Sequence, residues 1–150
     1  MSVPFRNVDV DPRAPVENWP YEAIVTAIER GTIGDWVMLT SAIDADPWGV
    51  VARQVEDYLN YESPYGVGPL LERAIVRARR QAEQRERAEV AEEIRTLIAA
   101  SGLTVAEFAG RVGTSRSRLS TYRSGTVTPS AAMMQRLRRV ARRAAAGRAG

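Results

Sequence analysis

The sequence predicts an all-α protein, and three observations lead to that fold class. Apolar residues recur at helical spacing along most of the chain, as they do at Ile24, Ala27 and Ile28. Glycine and proline fall between these segments, at positions where helices begin and end. The strict alternation of apolar and polar residues that indicates a half-buried strand does not occur in the sequence.

The first segment, residues 1–18, has prolines at positions 4, 12 and 15 and no clear period, which favours an irregular arm. A first helix is predicted after Asn18-Trp19-Pro20, and Gly31 is predicted to stop it. Thr32 is expected to cap the second helix, because threonine accepts backbone N–H groups at helix N-termini. The apolar face predicted for that helix consists of Ile33, Trp36, Val37, Thr40 and Ile43, with Leu39 less well aligned.

Asp46-Pro47 predicts the start of a third helix, since aspartate is a favoured N-cap and proline suits the first helical position. The third helix would bury Val51, Val55, Tyr58 and Leu59, and Ser63-Pro64-Tyr65-Gly66 together with Gly68-Pro69 predicts the turn after it. Residues 19–80 are therefore expected to form an acidic helical domain that dimerises or binds a partner.

Two groups of side chains in this front domain could carry a function. The tryptophans are predicted to lie in the core, and the tyrosines either edge the core or form a binding surface: Trp19, Trp36, Trp48, and Tyr58, Tyr61, Tyr65. The acids are explained by helix caps and solvated faces, because a hard-cation site needs several converging oxygens: Asp44, Asp46, Glu56 and Asp57. Neither a metal nor a cofactor is expected.

A long helix is predicted from Pro69 to Ala100, since no glycine or proline interrupts this segment. Its middle, RARRQAEQRERAE, contains only charged residues, glutamine and alanine. A helix that is polar on all sides is typical of a solvated connection between two domains. A flexible hinge is the alternative.

The composition excludes several classes of chemistry. The sequence has no cysteine and no histidine, so disulfides, thiolate metal sites, imidazole catalysis and most zinc chemistry are excluded. An enzyme is not expected. The sequence opens on no charged and apolar leader, and no apolar run approaches the roughly 18 residues of a membrane span, so a cytoplasmic location is expected.

Charge is distributed unevenly along the chain. Residues 1–68 hold 4 arginines and 11 acids, a net charge of −7, whereas residues 69–107 hold 7 of each. Residues 108–150 hold 10 arginines and no acid, and all 21 basic residues of the chain are arginine. Such asymmetry favours a polyanionic partner for the basic part.

Three short helical segments follow Ser101-Gly102 in the basic part. Thr104 is predicted to cap a helix from Val105 to Val112 that ends at Gly113, and Ser115 a helix that ends at Gly125. Thr128-Pro129-Ser130 is predicted to open a last helix with Met133, Met134, Leu137, Val140 and Ala141. Two short helices joined by a turn at Gly113 form a helix-turn-helix.

The stretch SGLTVAEFAGRVGTSRSRLSTYRSGTVTPS resembles the Cro/C1-type (Xre-type) helix-turn-helix family, and the resemblance covers residues 86–143. The matching residues are Leu103, Thr104, Ala109, Val112, Gly113, Ser115, Leu119, Gly125, Pro129 and Ser130. The resemblance implies a lambda-repressor-like bundle of five helices whose third helix reads the major groove of DNA. The front half of the chain resembles no family that we know.

On the third helix of this family, Ser115 to Ser124 here, Leu119 and Tyr122 are expected to face inward and the polar residues outward. Arg116, near the N-terminus, is placed to bind a guanine edge, and Ser117 and Thr121 suit smaller base or methyl contacts. Arg118, Ser120 and Ser124 better suit phosphates. The residues expected to bind DNA are Thr104, Ser115, Arg116, Ser117, Arg118, Ser120, Thr121, Arg123 and Ser124. The alternative is a solvated basic helix on an ordinary bundle.

The sequence departs from the family at three positions. The second helix of the family commonly begins with a glutamine that holds a phosphate, and Val105 stands there. The family often pairs an arginine late in the first helix with a glutamate late in the third, and these positions are Ile98 and Arg123. Both partners are absent together, so no charge is left buried, and Arg123 is free for the DNA backbone.

The predicted organisation is an arm (1–18), the acidic domain (19–80), the helix-turn-helix domain (81–143) and a basic tail (144–150) that extends the last helix or frays from it. Two functions follow from it. The first is a sequence-specific DNA-binding repressor that acts as a homodimer on a double-stranded operator. The second is an antitoxin whose front domain masks a toxin and whose rear domain represses the shared operon.

Overall fold

The structure is a computed structural model that describes residues 14–62 and 66–150, and it confirms the all-α fold class. These residues form one 3-10 turn and seven α-helices, with no strand among them. The turn is Val16–Asn18, and the helices are α1 (Tyr21–Arg30), α2 (Ile33–Ala45), α3 (Val50–Tyr61), α4 (Val67–Ser101), α5 (Val105–Val112), α6 (Arg116–Arg123) and α7 (Ala131–Arg148). The first 13 residues of the predicted arm and Ser63, Pro64 and Tyr65 of the predicted turn lie outside the described residues.

The chain divides into two compact units, a front unit that ends at Ala82 and a rear unit that begins at Glu83. Each unit has its own apolar core. In the front unit α1, α2, α3 and the first turns of α4 bury Ile24, Leu39, Val55 and Leu71. Trp19 joins this core and donates from Nε1 to the Ala14 carbonyl at 2.9 Å. Residues 14–18 thus pack against the front unit, although the whole segment 1–18 was predicted to be irregular.

A cluster of polar side chains joins the end of α1 to the start of α2. Arg30 donates from Nε and Nη2 to the two carboxylate oxygens of Asp35, both at 2.9 Å. Thr32 caps α2 as predicted: its hydroxyl accepts from the Asp35 N–H and donates to the Asp35 carboxylate at 2.6 Å. Asp35 is only 4% exposed, and the hydrogen bonds from Arg30, aided by Thr32, lower its pKa.

Asp35→Asn is expected to destabilise the front unit by about 1 kcal/mol at pH 7, because a charge-assisted contact with Arg30 is weakened. The folded pKa of Asp35 lies below the unfolded value of about 3.9, so its contribution is present above that value. It is lost as the pH falls through the folded pKa. Urea unfolding followed by tryptophan fluorescence should therefore show a difference from wild type at pH 7 that shrinks at pH 3. Asp44→Asn, an exposed change on the same helix, is the control; a difference that persists at pH 3 would contradict the assignment.

The prediction for the start of α3 is wrong. Asp46 is the C-cap of α2, its N–H donates to the Ala42 carbonyl at 3.1 Å, and α3 begins at Val50 with Gly49 as N-cap. A residue before proline is disfavoured in helical geometry, so Asp46-Pro47 ends one helix and does not begin the next. Pro47 is buried, and its carbonyl accepts from Arg79 Nε on α4 at 2.9 Å.

The predicted apolar face of α2 is also partly wrong. Leu39 and Ile43 are buried with Asp35, at positions i, i+4 and i+8 of one helix face. Ile33 and Val37 stand on the opposite side and are 84% and 53% exposed. The face of α2 that packs in the core is thus the one that carries Asp35, Leu39 and Ile43.

The predictions for the aromatic residues had a mixed outcome. Trp19 and Tyr58 are buried, and Trp36 packs partly buried against the same core. Trp48 is 44% exposed in the turn between α2 and α3, so its predicted place in the core is wrong. Tyr61 is exposed at the end of α3, whereas Tyr58 contributes to the core.

The long helix is observed as α4, which begins two residues before Pro69 because the first helical turn tolerates proline. It is helical throughout, including residues 83–89, whose side chains are all exposed. None of the helices in the described ranges is long and apolar enough to cross a membrane.

The rear unit packs the end of α4, α5, α6 and α7 around Ile94, Phe108, Leu119 and Leu137, all fully buried. The resemblance implied five helices, but residues 83–150 contain four, because α7 runs without interruption from Ala131 to Arg148. The predicted tail is thus the end of α7: Ala144 is buried, and the Arg148 guanidinium contacts the Ala100 carbonyl.

Candidate nucleic-acid interface

The chain turns sharply between α5 and α6, and both helices begin at capped N-termini. At the start of α5 the Thr104 hydroxyl accepts from the Glu107 N–H at 3.2 Å, and the Glu107 carboxylate accepts from the Thr104 N–H. Gly113 ends α5 with φ +84°, which favours glycine. Ser115 then caps α6 by accepting from the Arg118 N–H at 3.0 Å. The two short helices therefore form the predicted helix-turn-helix.

Helix α6 has a buried side and an exposed side, and both agree with the expectation from its spacing. Leu119 and Tyr122 are buried in the rear core. On the outer side, five residues line one shallow open surface, which we call the α6 face: Arg116, Ser117, Ser120, Thr121 and Ser124. This surface contains hydrogen-bonding groups and one arginine, and no acid lines it.

The hydroxyl groups on and around α6 differ in whether their hydrogen is already used in a hydrogen bond. Thr121 donates to the Arg118 carbonyl at 2.6 Å and Ser124 to the Thr121 carbonyl at 3.1 Å, so these two hydroxyls already donate within the helix. The caps Thr104 and Ser115 accept backbone N–H groups, and their hydroxyl hydrogens make no hydrogen bond within the described residues. Ser117 and Ser120 are exposed, and their hydroxyl groups make no hydrogen bond within the described residues.

Arg118 lies beside the α6 face and is held in place by a neighbour. Its Nε donates to the Tyr122 hydroxyl at 3.0 Å, and this hydrogen bond raises the pKa of the Arg118 guanidinium. Its terminal nitrogens form no bond among the described side chains, so they remain available to an anion. The buried Tyr122 thereby orients a charged group at the edge of the helix.

The end of α6 is stabilised by a residue that the sequence reasoning missed. Arg95 on α4 donates from Nη1 to the Arg123 carbonyl at 2.5 Å and pairs with Glu92 at 2.7 Å. Its charge offsets the negative end of the α6 dipole. In the family's numbering the end of α4 is the first helix and α6 is the third. Arg95 lies one turn before Ile98, so an arginine of the first helix still contacts the end of the third, through the Arg123 carbonyl. The side chain of Arg123 is half-buried and forms no ion pair in the described part of the chain.

A second concave surface adjoins this end of α6, and it was also missed. Gly125 has φ +76°, and a Cβ there would lie 3.5 Å from the Ala91 Cβ, so the turn after α6 packs directly on α4. We call this surface the Arg87 groove; it is lined by Gln84, Arg87, Ala88, Ala91, Arg95, Ser124 and Gly125. Arg87 is exposed and makes no ion pair with any described residue. Residues 87, 91 and 95 lie on one face of α4 because they are four apart in the sequence. Their contact with residues 124–125 could not be predicted, because no pattern of neighbouring residues indicates it.

The α6 face brings together five of the nine predicted site residues and leaves out Thr104, Ser115, Arg118 and Arg123. Of these four, Thr104 alone belongs to the start of a different helix, α5. Val105, at the position of the family's glutamine, packs partly buried against the rear core. Much of the remaining basic charge is on α7, where Arg136, Arg139, Arg142 and Arg143 are exposed and Arg138 pairs with Glu93 at 2.7 Å.

Comparison with protein families identifies this part of the chain. A helix-turn-helix family model matches residues 94–142, in agreement with the resemblance to the Cro/C1-type family. Searches of curated proteins and of solved structures gave no significant match. Residues 94–142 are thus a helix-turn-helix domain of the type found in DNA-binding transcription regulators.

Proposed function

We propose, on the basis of this helix-turn-helix domain, that the chain is a sequence-specific repressor that reads the major groove with α6. The observation that carries the proposal is the α6 face, which is polar, free of acids and held outward by the buried Leu119 and Tyr122. A recognition helix meets base edges through its N-terminal residues. Arg116 is the first residue of α6 and is exposed.

The side chains around α6 divide into two proposed roles. Arg116 forms a bidentate pair with a guanine O6 and N7, and Ser117 and Thr121 make smaller contacts, Thr121 through its methyl group. The remaining site residues hold phosphates, which position the protein without reading sequence: Thr104, Ser115, Arg118, Ser120, Arg123 and Ser124. Of these, Ser124 contributes least, because its hydroxyl already donates to the Thr121 carbonyl.

We expect two copies of the chain on each operator. A single recognition helix buries too little surface for tight specific binding, and regulators of this type use half-sites about 34–36 Å apart. The number of protomers per operator can be measured only with DNA present, so the relevant measurement is sedimentation of the saturated specific complex. One protomer per operator would contradict it.

Selection of bound sequences from a random duplex pool tests the proposal as a whole. The full chain should enrich one motif with two related halves. If unselected sequences were recovered at every salt concentration, the binding would be only the nonspecific attraction of DNA to the ten arginines of residues 108–150. In that case the proposed sequence reading by α6 would be wrong.

Arg87→Gln is expected to weaken binding to all sequences evenly and to reduce the salt slope of log K by about 1, as for the loss of one phosphate contact. The reason is the position of Arg87, unpaired and exposed beside the end of α6. Titrations over a salt series measure the slope. Arg85→Gln is the matched control, since it removes the same charge two residues away on a different side of α4. If the slope of log K against log salt is the same for the two variants, Arg87 does not contact DNA.

The second candidate function is an antitoxin, and the acidic front unit favours it. Residues 1–68 carry a net charge of −7, and the whole front unit up to Ala82, with 8 arginines and 12 acids, carries −4. Such a negative charge suits a basic toxin that acts on nucleic acid. In this proposal the front unit masks the toxin and the helix-turn-helix domain represses the shared operon. Co-purification of the chain expressed with its neighbouring gene, with the complex identified by mass, tests this candidate. A stable complex with a small basic protein supports the antitoxin, and the chain recovered alone contradicts it.

A further inference from the structure

A cleft between α3 and the first turns of α4 has no role in the proposed DNA contacts. It lies entirely within the front unit. Charged and apolar side chains from both helices line it. Those on α3 are Glu56, Asp57, Leu59 and Asn60, and those on α4 are Glu72, Arg73, Ile75, Val76, Arg77 and Arg80.

The apolar part of this cleft is unusually exposed. Val76 is 65% exposed although it lies next to the buried Ile75. Two further exposed apolar residues extend the same helix faces: Tyr61 is one turn after Asp57 on α3, and Leu70 is one turn before Arg73 on α4. Exposed apolar side chains beside polar residues are typical of an interaction site.

The charges of the cleft indicate what kind of partner fits it. Glu56 is already paired within the protomer, because Arg79 donates to both of its oxygens, at 2.5 and 2.9 Å. Five other charged residues of the cleft form no ion pair with any described residue. They are Asp57 on α3, and Glu72, Arg73, Arg77 and Arg80 on α4. A partner of a single sign, such as a nucleic acid or a strongly basic protein, would be attracted by one set and repelled by the other.

We propose that this cleft is the surface through which two copies of the chain associate. About a two-fold axis, the unpaired arginines on α4 of one copy meet Asp57, the unpaired acid on α3, of the other copy, and the reverse contact forms at the same time. The exposed Val76 side chains lie near the centre of the interface. The inference deepens the proposed function, since it locates the contact that a dimeric DNA-binding regulator requires.

A charge exchange tests this arrangement, with the full chain and no DNA. Arg77→Glu and Asp57→Arg should each raise the self-association dissociation constant by at least about tenfold, because each places like charges opposite each other twice. An equimolar mixture of the two variants should recover association, as every contact in the mixed dimer then joins opposite charges. Sedimentation velocity measures the association, and circular dichroism checks that each variant keeps its helix content.

Two control variants carry the same charge changes outside the cleft. Arg85→Glu and Asp44→Arg make the same charge changes at exposed positions outside the cleft, and they should associate like wild type. Val76→Asp should dissociate the dimer without relying on the ion pairs. A wild-type chain that stays monomeric, single variants that associate normally, or a mixture that stays monomeric would each overturn the proposal.

The outcome for the cleft is separable from the outcome for the proposed function. If the charge exchange behaves as expected but the wild-type chain selects no DNA motif, the cleft stands and sequence reading fails. If the motif is found and the single variants associate and bind paired half-sites like wild type, the repressor stands and the cleft is wrong.

Discussion

Phe108→Ala is expected to reduce the free energy of unfolding of the rear unit by about 3–5 kcal/mol, which is a large part of the total stability of a small domain. Phe108 is among the largest fully buried side chains of the protein and stands on α5 among Ile94, Leu119 and Leu137. Alanine would leave a cavity that the short helices cannot close without shifting.

The distribution of tryptophan makes this loss measurable in the intact chain. Trp19, Trp36 and Trp48 all belong to the front unit, and residues 83–150 contain no tryptophan. In urea, circular dichroism should lose part of its amplitude early in Phe108→Ala, while the midpoint by tryptophan fluorescence stays unchanged. Val127→Ala, at an exposed position of the rear unit, should change stability by less than about 0.5 kcal/mol. An equal shift of both probes would contradict a separate rear core.

Arg116→Ala is expected to cost about 1–3 kcal/mol at one operator base pair, which is roughly a 5- to 150-fold loss of discrimination there. The fold should be intact, because Arg116 is exposed and only its backbone takes part in α6. Selection of bound sequences should show one relaxed position in each half of the motif. Nonspecific binding should fall only by the contribution of one charge.

Arg111→Ala is the matched control for this experiment, as it removes the same charge from an exposed position on α5 outside the α6 face. It should leave the selected motif unchanged. If Arg116→Ala also leaves the motif unchanged, α6 reads DNA through other residues or does not read it. If both variants relax the same base pair, the effect comes from charge and not from a paired contact.

The parts of the fold that sequence could predict are those determined by neighbouring residues. Helix α5 agrees with its predicted bounds because its signals are local: Thr104 and Glu107 cap one end, and Gly113 supplies the positive φ at the other. The inward side of α6 was predictable for the same reason, since Leu119 and Tyr122 follow the helical period.

The misses involve ambiguous signals or partners far apart in the sequence. Asp46-Pro47 can end a helix as well as begin one, and here it ends α2, with the Pro47 carbonyl bonded to Arg79 from 32 residues further along the chain. Arg95 bonds to a residue 28 positions away in the sequence, and Arg87 lines a groove with residues still further along the chain, so neither contact leaves a periodic pattern. The acids and arginines of the front cleft were visible as charges, but their arrangement on two facing helices depends on the fold.

The exposed stretch of α4 at residues 83–89 has a consequence for the lifetime of its backbone hydrogen bonds. Its side chains are all exposed and belong to neither core, so the helix there depends mainly on its own peptide hydrogen bonds, with only the turn at Gly125 close to it at Arg87. The turns around Leu71 and Ile94 are anchored in cores and can open only when those cores loosen. A single continuous helix therefore contains a central stretch in which amide protons meet solvent far more often than those at either end.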